Sequence, residues 1–253
     1  MVGRALVLGY AVAAYGLFLV TSLYGVGFIG GFLTPTRLDG PVNGSTALAA
    51  AIDLALLALF AVQHSGMARP RFKRWLTRYV PEPAERATYV LLSSAALLLL
   101  FWLWRPVGGV VWDVESPGAR AAMYALFAAG WLIVLSTTYL IDHFDLFGLR
   151  QVVLYARGRP YTPPRFVVPG PYRWVRHPLY VGWLTAFWAA PTMTAAHVLF
   201  AAVTTAYILA AVVLEERDLV AAHPEYEAYR RRVPMLLPRV GRPGRRGTGA
   251  DVR

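Results

Sequence analysis

Cysteine is absent from this chain, and Lys73 is its only lysine. The first absence excludes a disulfide framework, a thiolate metal site and a cysteine nucleophile. Charge of either sign is scarce: Asp, Glu, Lys and Arg make up 15% of the residues, against about 25% in a soluble domain. Hydrophobic residues make up 57% and fall in long blocks. That pattern excludes a large soluble core and predicts an all-α, polytopic transmembrane helix bundle. Acidic residues are the scarcer sign, and the net charge is +11. So basic a chain invites a nucleic-acid reading. The arginines, however, cluster between apolar blocks, as charge bias that sets membrane topology does. The expected partner is therefore the lipid bilayer and not a nucleic acid.

Four spans are read directly, at Ala5–Phe28, Thr46–His64, Ala87–Trp104 and Ala121–Ile141. The first lacks a small-residue cleavage site and is expected to be a retained helix. Residues 25–44, rich in Gly and Pro, read as an irregular loop. Pro178–Leu214 is a run of 37 residues without one Asp, Glu, Lys or Arg. As one helix it would extend about 55 Å, well beyond a bilayer core of about 30 Å. It must fold back, with Pro191-Thr192-Met193-Thr194 as the turn, and one leg of that hairpin is expected to be short. Bundle and hairpin together give five to six spans.

With the N-terminus in the cytosol, cytosolic segments hold 22 of the Lys and Arg residues and outside loops only Arg37, Arg105 and Arg120. The positive-inside rule then puts both termini in the cytosol of a bacterial-type inner membrane. The chain divides into N-terminal transmembrane helices (1–141), a core (142–237) and a basic tail expected to be disordered (238–253).

The fold-back brings two clusters to one face. Arg176-His177-Pro178-Leu179-Tyr180 precedes the run and Glu215-Glu216-Arg217-Asp218 follows it. A second group, Asp142-His143-Phe144-Asp145 with Arg150-Gln151, follows the fourth span. Adjacent glutamates on one helix point in different directions. Glu216 is read as facing the pocket and Glu215 as pairing a nearby arginine. Asp53 is costly inside a span and reads either as buried against a polar partner or as part of the site. His197, near the hairpin, reads as structural.

The Arg-His-Pro-x-Tyr motif, followed across a hairpin by Glu-Glu and then by Tyr226 and Tyr229, resembles the isoprenylcysteine carboxyl methyltransferase family of integral membrane methyltransferases. Gln63-His64-Ser65, the basic loop after the second span and residues 142–151 extend the likeness to a narrower branch, the methanethiol S-methyltransferases. These are similar in turn to membrane proteins associated with nitric-oxide reductase. The resemblance implies S-adenosylmethionine bound at the cytosolic helix ends and methyl transfer to a small thiol, giving dimethyl sulfide.

On that resemblance Tyr172, Arg176, His177, Pro178, Tyr180, Glu216 and Arg217 are the expected cofactor contacts, and Arg150, Gln151 and Trp174 the expected substrate contacts. Arg176 has the fork that a carboxylate fits. Glu216 suits the ribose hydroxyls or the ammonium, and His177 the adenine or ribose. Tyr180 and Trp174 suit the adenine or the sulfonium. A thiol must lose its proton to become a nucleophile. His143, flanked by Asp142 and Asp145, is the first candidate base, and His64 the second. No metal ligands are expected. Three other readings stay open at this point. They are carboxyl methylation of a prenylated cysteine or other lipophilic acceptor, haem held by His64 and His143, and a transporter.

Overall fold

In the computed structural model, which describes residues 2–238, the chain is almost entirely helical. Helix α1 spans Val2–Gly30 and α2 Thr46–Ala68, followed by the short α3 at Pro70–Leu76. Helix α4 is Glu85–Leu103, a strand β1 lies at Val110–Asp113, and α5 is Pro117–Ile141. Two short helices follow, α6 at His143–Leu146 and α7 at Leu149–Ala156. The hairpin consists of α8 (Pro178–Trp188), the strand β2 (Thr192–Thr194) and α9 (Ala195–Ala222), and α10 (Pro224–Arg232) follows it. Among the described residues, five helices are long and apolar enough to cross a membrane: α1, α2, the stretch Glu82–Leu103, α5 and α9. The protein is thus a helical membrane bundle. The four directly read spans agree with it to within a few residues. The tail expected from 238 onward lies outside the described residues except for its first.

The helix boundaries follow local chemistry. Ser45 caps α2, its hydroxyl accepting from the Leu48 N–H, and Thr194 caps α9 through the His197 N–H. Pro70, Pro117, Pro178 and Pro224 each sit in a first turn, where the missing N–H costs nothing. The outward faces stay apolar (Leu23, Val62 and Trp102 are each at least 70% exposed), as lipid requires.

Helix α8 is the short leg. Its 11 residues rise only about 16 Å, so the crossing is completed by extended chain. Irregular backbone at that depth must be enclosed and satisfied, and it is. Ala189 and Ala190 are buried. The carbonyl of Ala190 accepts from the Trp112 indole at 3.1 Å and that of Pro191 from the Val114 N–H at 2.9 Å. Strands β1 and β2 then pair antiparallel, with Trp112 opposite Met193. The turn expected at 191–194 is therefore half strand, its partner being the loop after α4.

Helices α5 and α8 touch through glycine. A Cβ on Gly130 would lie 2.6 Å from the Ala186 nitrogen, and one on Gly182 2.8 Å from the Gly130 carbonyl oxygen. This is the small-residue contact of membrane helices, and it fixes the start of α8. At the opposite end of the bundle Asp39 accepts from the Thr194 hydroxyl and faces His197 Nδ1 at 3.1 Å, while His197 Nε2 meets the Phe187 carbonyl at 2.9 Å. His197 is structural, as its sequence position suggested, and it pins the loop after α1 to the hairpin. Asp53 is fully buried and accepts from the Arg105 backbone N–H at 2.9 Å, just past the C-terminal end of α4 and away from the motif clusters.

Candidate functional site

The two motif clusters meet as the fold-back requires. Residue 216 lies on α9, and residues 176–177 are the last before α8. Glu216 Oε1 accepts from Arg176 Nε at 2.6 Å and lies 2.9 Å from His177 Nε2, with the Tyr226 hydroxyl at 3.4 Å. Arg176 Nη1 also donates to the carbonyls of Arg230 and Val233, at the end of α10. The backbone N–H groups of Arg176 and His177 donate to Pro234 and Met235. Tyr229 donates to the Tyr172 carbonyl at 2.6 Å. Burial pushes the Tyr229 phenol up to about 12 and the Tyr226 phenol higher still, so both remain donors at neutral pH. The result is a buried ionic clasp that ties α8, α9 and α10 together.

The arginine partner is Glu216, not Glu215 as expected. One turn geometry decides it: adjacent residues diverge by about 100° on a helix, and Glu216 is the one turned inward. Glu215, 44% exposed, instead accepts from the Tyr180 hydroxyl at 2.9 Å and lies 4.0 Å from His177 Nδ1. Tyr172 is held protonated by burial and then by the nearby Glu215 charge. Trp174 is 70% exposed, and Arg217 is exposed on the outer side of α9.

Near Glu215 lies a second polar group, of which the sequence offered Gln63, His64 and Ser65 but not their partners on α4 and α9. His64 on α2 has the Tyr89 hydroxyl at 2.7 Å from Nε2 and the Ser93 hydroxyl at 3.2 Å from Nδ1, both from α4. Its ring stacks on Phe60 at 5.0 Å. Tyr207 on α9 shares a hydrogen bond with Ser65 at 3.0 Å. Tyr89 and Tyr180 lie within electrostatic reach of each other and of Glu215. The Gln63 side chain donates toward Ser93, and its carbonyl oxygen is buried with no donor. Helices α2, α4 and α9 thus gather His64, Tyr89, Ser93 and Tyr207 into one polar cluster, and the Arg69–Asp218 ion pair at 3.0 Å ties this end of α2 to α9 less than one turn beyond Glu215.

The group after α5 is separate. His143 Nε2 is 2.7 Å from the Tyr15 hydroxyl and Nδ1 2.8 Å from that of Thr138, with the ring stacked on Tyr139 at 4.2 Å. Thr138 spends its own proton on the Leu135 carbonyl, so it accepts from His143 Nδ1–H and Tyr15 donates to Nε2. The ring is oriented by hydroxyls rather than by the flanking carboxylates. Asp142 caps α6 through the Asp145 N–H, and Asp145 takes Arg150 at 3.0 Å and Tyr161 at 3.2 Å. Gln151 donates to the Asp145 carbonyl. Burial lowers the His143 pKa, with Asp142 opposing, which favours the neutral ring. His143 and His64 share no hydrogen-bond or ring partner. Nothing in the geometry sets them as a pair of axial ligands.

Fold and geometry together define a polytopic membrane protein whose polar clusters gather where the last hairpin returns to one face. The chain belongs to the NnrU protein family, whose model matches residues 54–235. It is 55% identical to a methanethiol S-methyltransferase of Crocosphaera subtropica over 94% of each chain. It is 52% identical to the methanethiol S-methyltransferase of Mycobacterium tuberculosis, over 93% of this chain and 97% of that one. Nurim of Sus scrofa is more distant, at 34% identity over 66% of each chain. No solved structure matches the chain.

Proposed function

We propose that the protein is a membrane-embedded thiol S-methyltransferase that uses S-adenosylmethionine to convert methanethiol to dimethyl sulfide at the cytosolic face. The observation that carries this reading is about one-half identity, over nearly the full length, to proteins named methanethiol S-methyltransferase. The clasp and the His64 cluster lie inside the region that the family model matches. The 22 Lys and Arg residues on the site's side support the cytosolic orientation.

The residues suit the cofactor. It carries an ammonium, ribose hydroxyls and a sulfonium, and supplies a methyl group on a good leaving sulfur. Glu215, half exposed among the phenols of Tyr172 and Tyr180, suits a cation or a hydroxyl donor. The tyrosine rings suit the sulfonium. Arg176 Nη2 has no hydrogen-bond partner among the described residues, which leaves one edge for a carboxylate. Glu216 is spent inside the clasp, so its share in cofactor binding is to hold Arg176 and His177 in place. What the protein adds is alignment in a dry cleft, an effect that can supply several kcal/mol.

The test is headspace dimethyl sulfide from purified protein in detergent, supplied with S-adenosylmethionine and methanethiol, with Glu215→Gln as control. Product that falls at least tenfold in the control supports the reading. No product from the wild type, with the cofactor bound, moves the acceptor to another nucleophile, and neither product nor binding removes the reading.

A further inference from the structure

We infer that the acceptor thiol binds against the polar cluster of α2, α4 and α9, and that His64, positioned by Tyr89 and Ser93, takes its proton. This rests on the thiol S-methyltransferase reading above and chooses between the two histidines that the sequence left open.

Three observations carry it. First, of the two rings only His64 lies on a helix tied to α9 beside Glu215, through the Ser65–Tyr207 hydrogen bond at 3.0 Å and the Arg69–Asp218 ion pair at 3.0 Å. The His143 contacts are to α1 and to the end of α5. Second, the partners of His64 are hydroxyls that can rotate between donor and acceptor, so the ring can gain a proton without stranding a neighbour. The charged groups facing the His64–Tyr89 pair are the Arg86 guanidinium, 5.1 Å over the Tyr89 ring, with Glu85 and Glu215 beyond it. Third, the buried carbonyl oxygen of Gln63 lacks a donor beside Ser93. An orphan acceptor in a polar recess calls for a ligand that brings a hydrogen, and a thiol brings one.

The wall of Phe60, Tyr89 and Tyr207 is apolar on its faces and polar at its tips. That suits a small alkyl thiol better than a charged acceptor. In the step, the S–H bond breaks and its proton goes to the imidazole. The thiol sulfur uses the freed pair to bond the methyl carbon. The electron pair of the breaking sulfonium bond stays on the donor sulfur, which becomes a neutral thioether. The imidazolium then loses its proton to water at the cytosolic mouth, past Glu215.

The experiment compares wild type, His64→Gln, Tyr89→Phe and His143→Gln in detergent. It measures cofactor affinity by calorimetry, folding by thermal unfolding, and dimethyl sulfide formation from pH 6 to 10. A general base is worth about 100-fold or more, and its loss matters less once a thiol ionises unaided, near or above about 8.5. The expected result is a His64→Gln variant that is folded, binds cofactor within twofold of wild type, and is at least about 100-fold slower at pH 7. Its deficit should shrink as pH rises. Tyr89→Phe should show the same pattern more weakly.

Should His64→Gln lose activity equally at every pH, or stay within threefold of wild type at pH 7, the assignment is overturned. It is also overturned if the pH-recovering loss belongs to His143→Gln. Where His64→Gln does not fold, Tyr89→Phe decides: a pH-independent rate ratio to wild type overturns the proposal. A wild type that makes no dimethyl sulfide fails the parent reading instead, so the two failures are distinguishable.

Discussion

At the scale of residues, the adjacent glutamates are the sharpest contrast. Glu216 is buried against Arg176 and His177, so Glu216→Ala strands a buried guanidinium and should cost about 3–5 kcal/mol. Glu215 is half exposed, and Glu215→Gln should leave thermal unfolding almost unmoved while weakening S-adenosylmethionine binding at least tenfold. Thermal unfolding and calorimetry on both variants check this, and a Glu216→Ala protein as stable as wild type would remove the clasp. His143 gives a pH test. Burial holds its folded pKa below the ordinary 6.5, so an unfolded chain takes up the proton first as pH falls. The stability this contributes is complete above about 6.5 and is lost as pH drops through the lowered value. Wild type should therefore lose stability between pH 6.5 and 5 more steeply than His143→Gln, and identical unfolding curves across that range would refute it. The motif residues were legible in the sequence because each cluster is contiguous and charged residues are rare here. Tyr89, Ser93 and Tyr207 were not. Each sits in an apolar run, where a tyrosine reads as an interfacial anchor and a serine as packing, and only the crossing of α2, α4 and α9 brings them together.

At the scale of elements, α8 sets the site. It begins at the clasp and is held by α5 through Gly130 and Gly182. The hairpin was legible from length alone, since 37 uncharged residues exceed one bilayer crossing. That α8 stops after 11 residues, and that extended chain finishes the crossing, was less so. The reason is that the bonds satisfying Ala190 and Pro191 come from residues 112 and 114, some 80 positions away. Likewise β1 and β2 pair at long range, and neither Val110–Asp113 nor Thr192–Thr194 is long enough to announce a strand. The glycine contact makes a prediction at this scale. Gly182→Val would drive a side chain into the Gly130 carbonyl and the Val134 side chain, forcing α5 and α8 apart. Overpacking of this kind costs about 1–3 kcal/mol, and because His177 caps the start of α8 and Tyr180 lies in its first turn, cofactor affinity should fall with stability. Gly118→Val, which meets nothing within 4 Å, is the control. Equal unfolding temperatures for the two variants would show that the close contact does not position the site.

At the scale of the whole molecule, the argument turns on which face the site opens to. Arg-rich segments follow α2, α5 and α9, and the loops on the other side hold three arginines. A bias of that size normally sets the orientation of a polytopic chain. The chemistry asks for the same arrangement, because a charged nucleotide-like donor is made and regenerated in the cytosol and does not cross lipid unaided. Orientation also decides where the thiol's proton is released, so it bears on the mechanism and not only on the topology. The absence of cysteine makes the test clean, since any single introduced thiol is labelled without background. Glu115→Cys lies on the exposed segment between β1 and α5, and Leu237→Cys on the exposed stretch after α10, where Leu237 is 81% exposed. With a membrane-impermeant maleimide on intact cells, Glu115→Cys should label and Leu237→Cys should not, and both should label after permeabilisation. The reverse pattern would put the clasp, the His64 cluster and Glu215 outside the cytosol. The cofactor assignment would then fail on supply alone, however well the residues suit it.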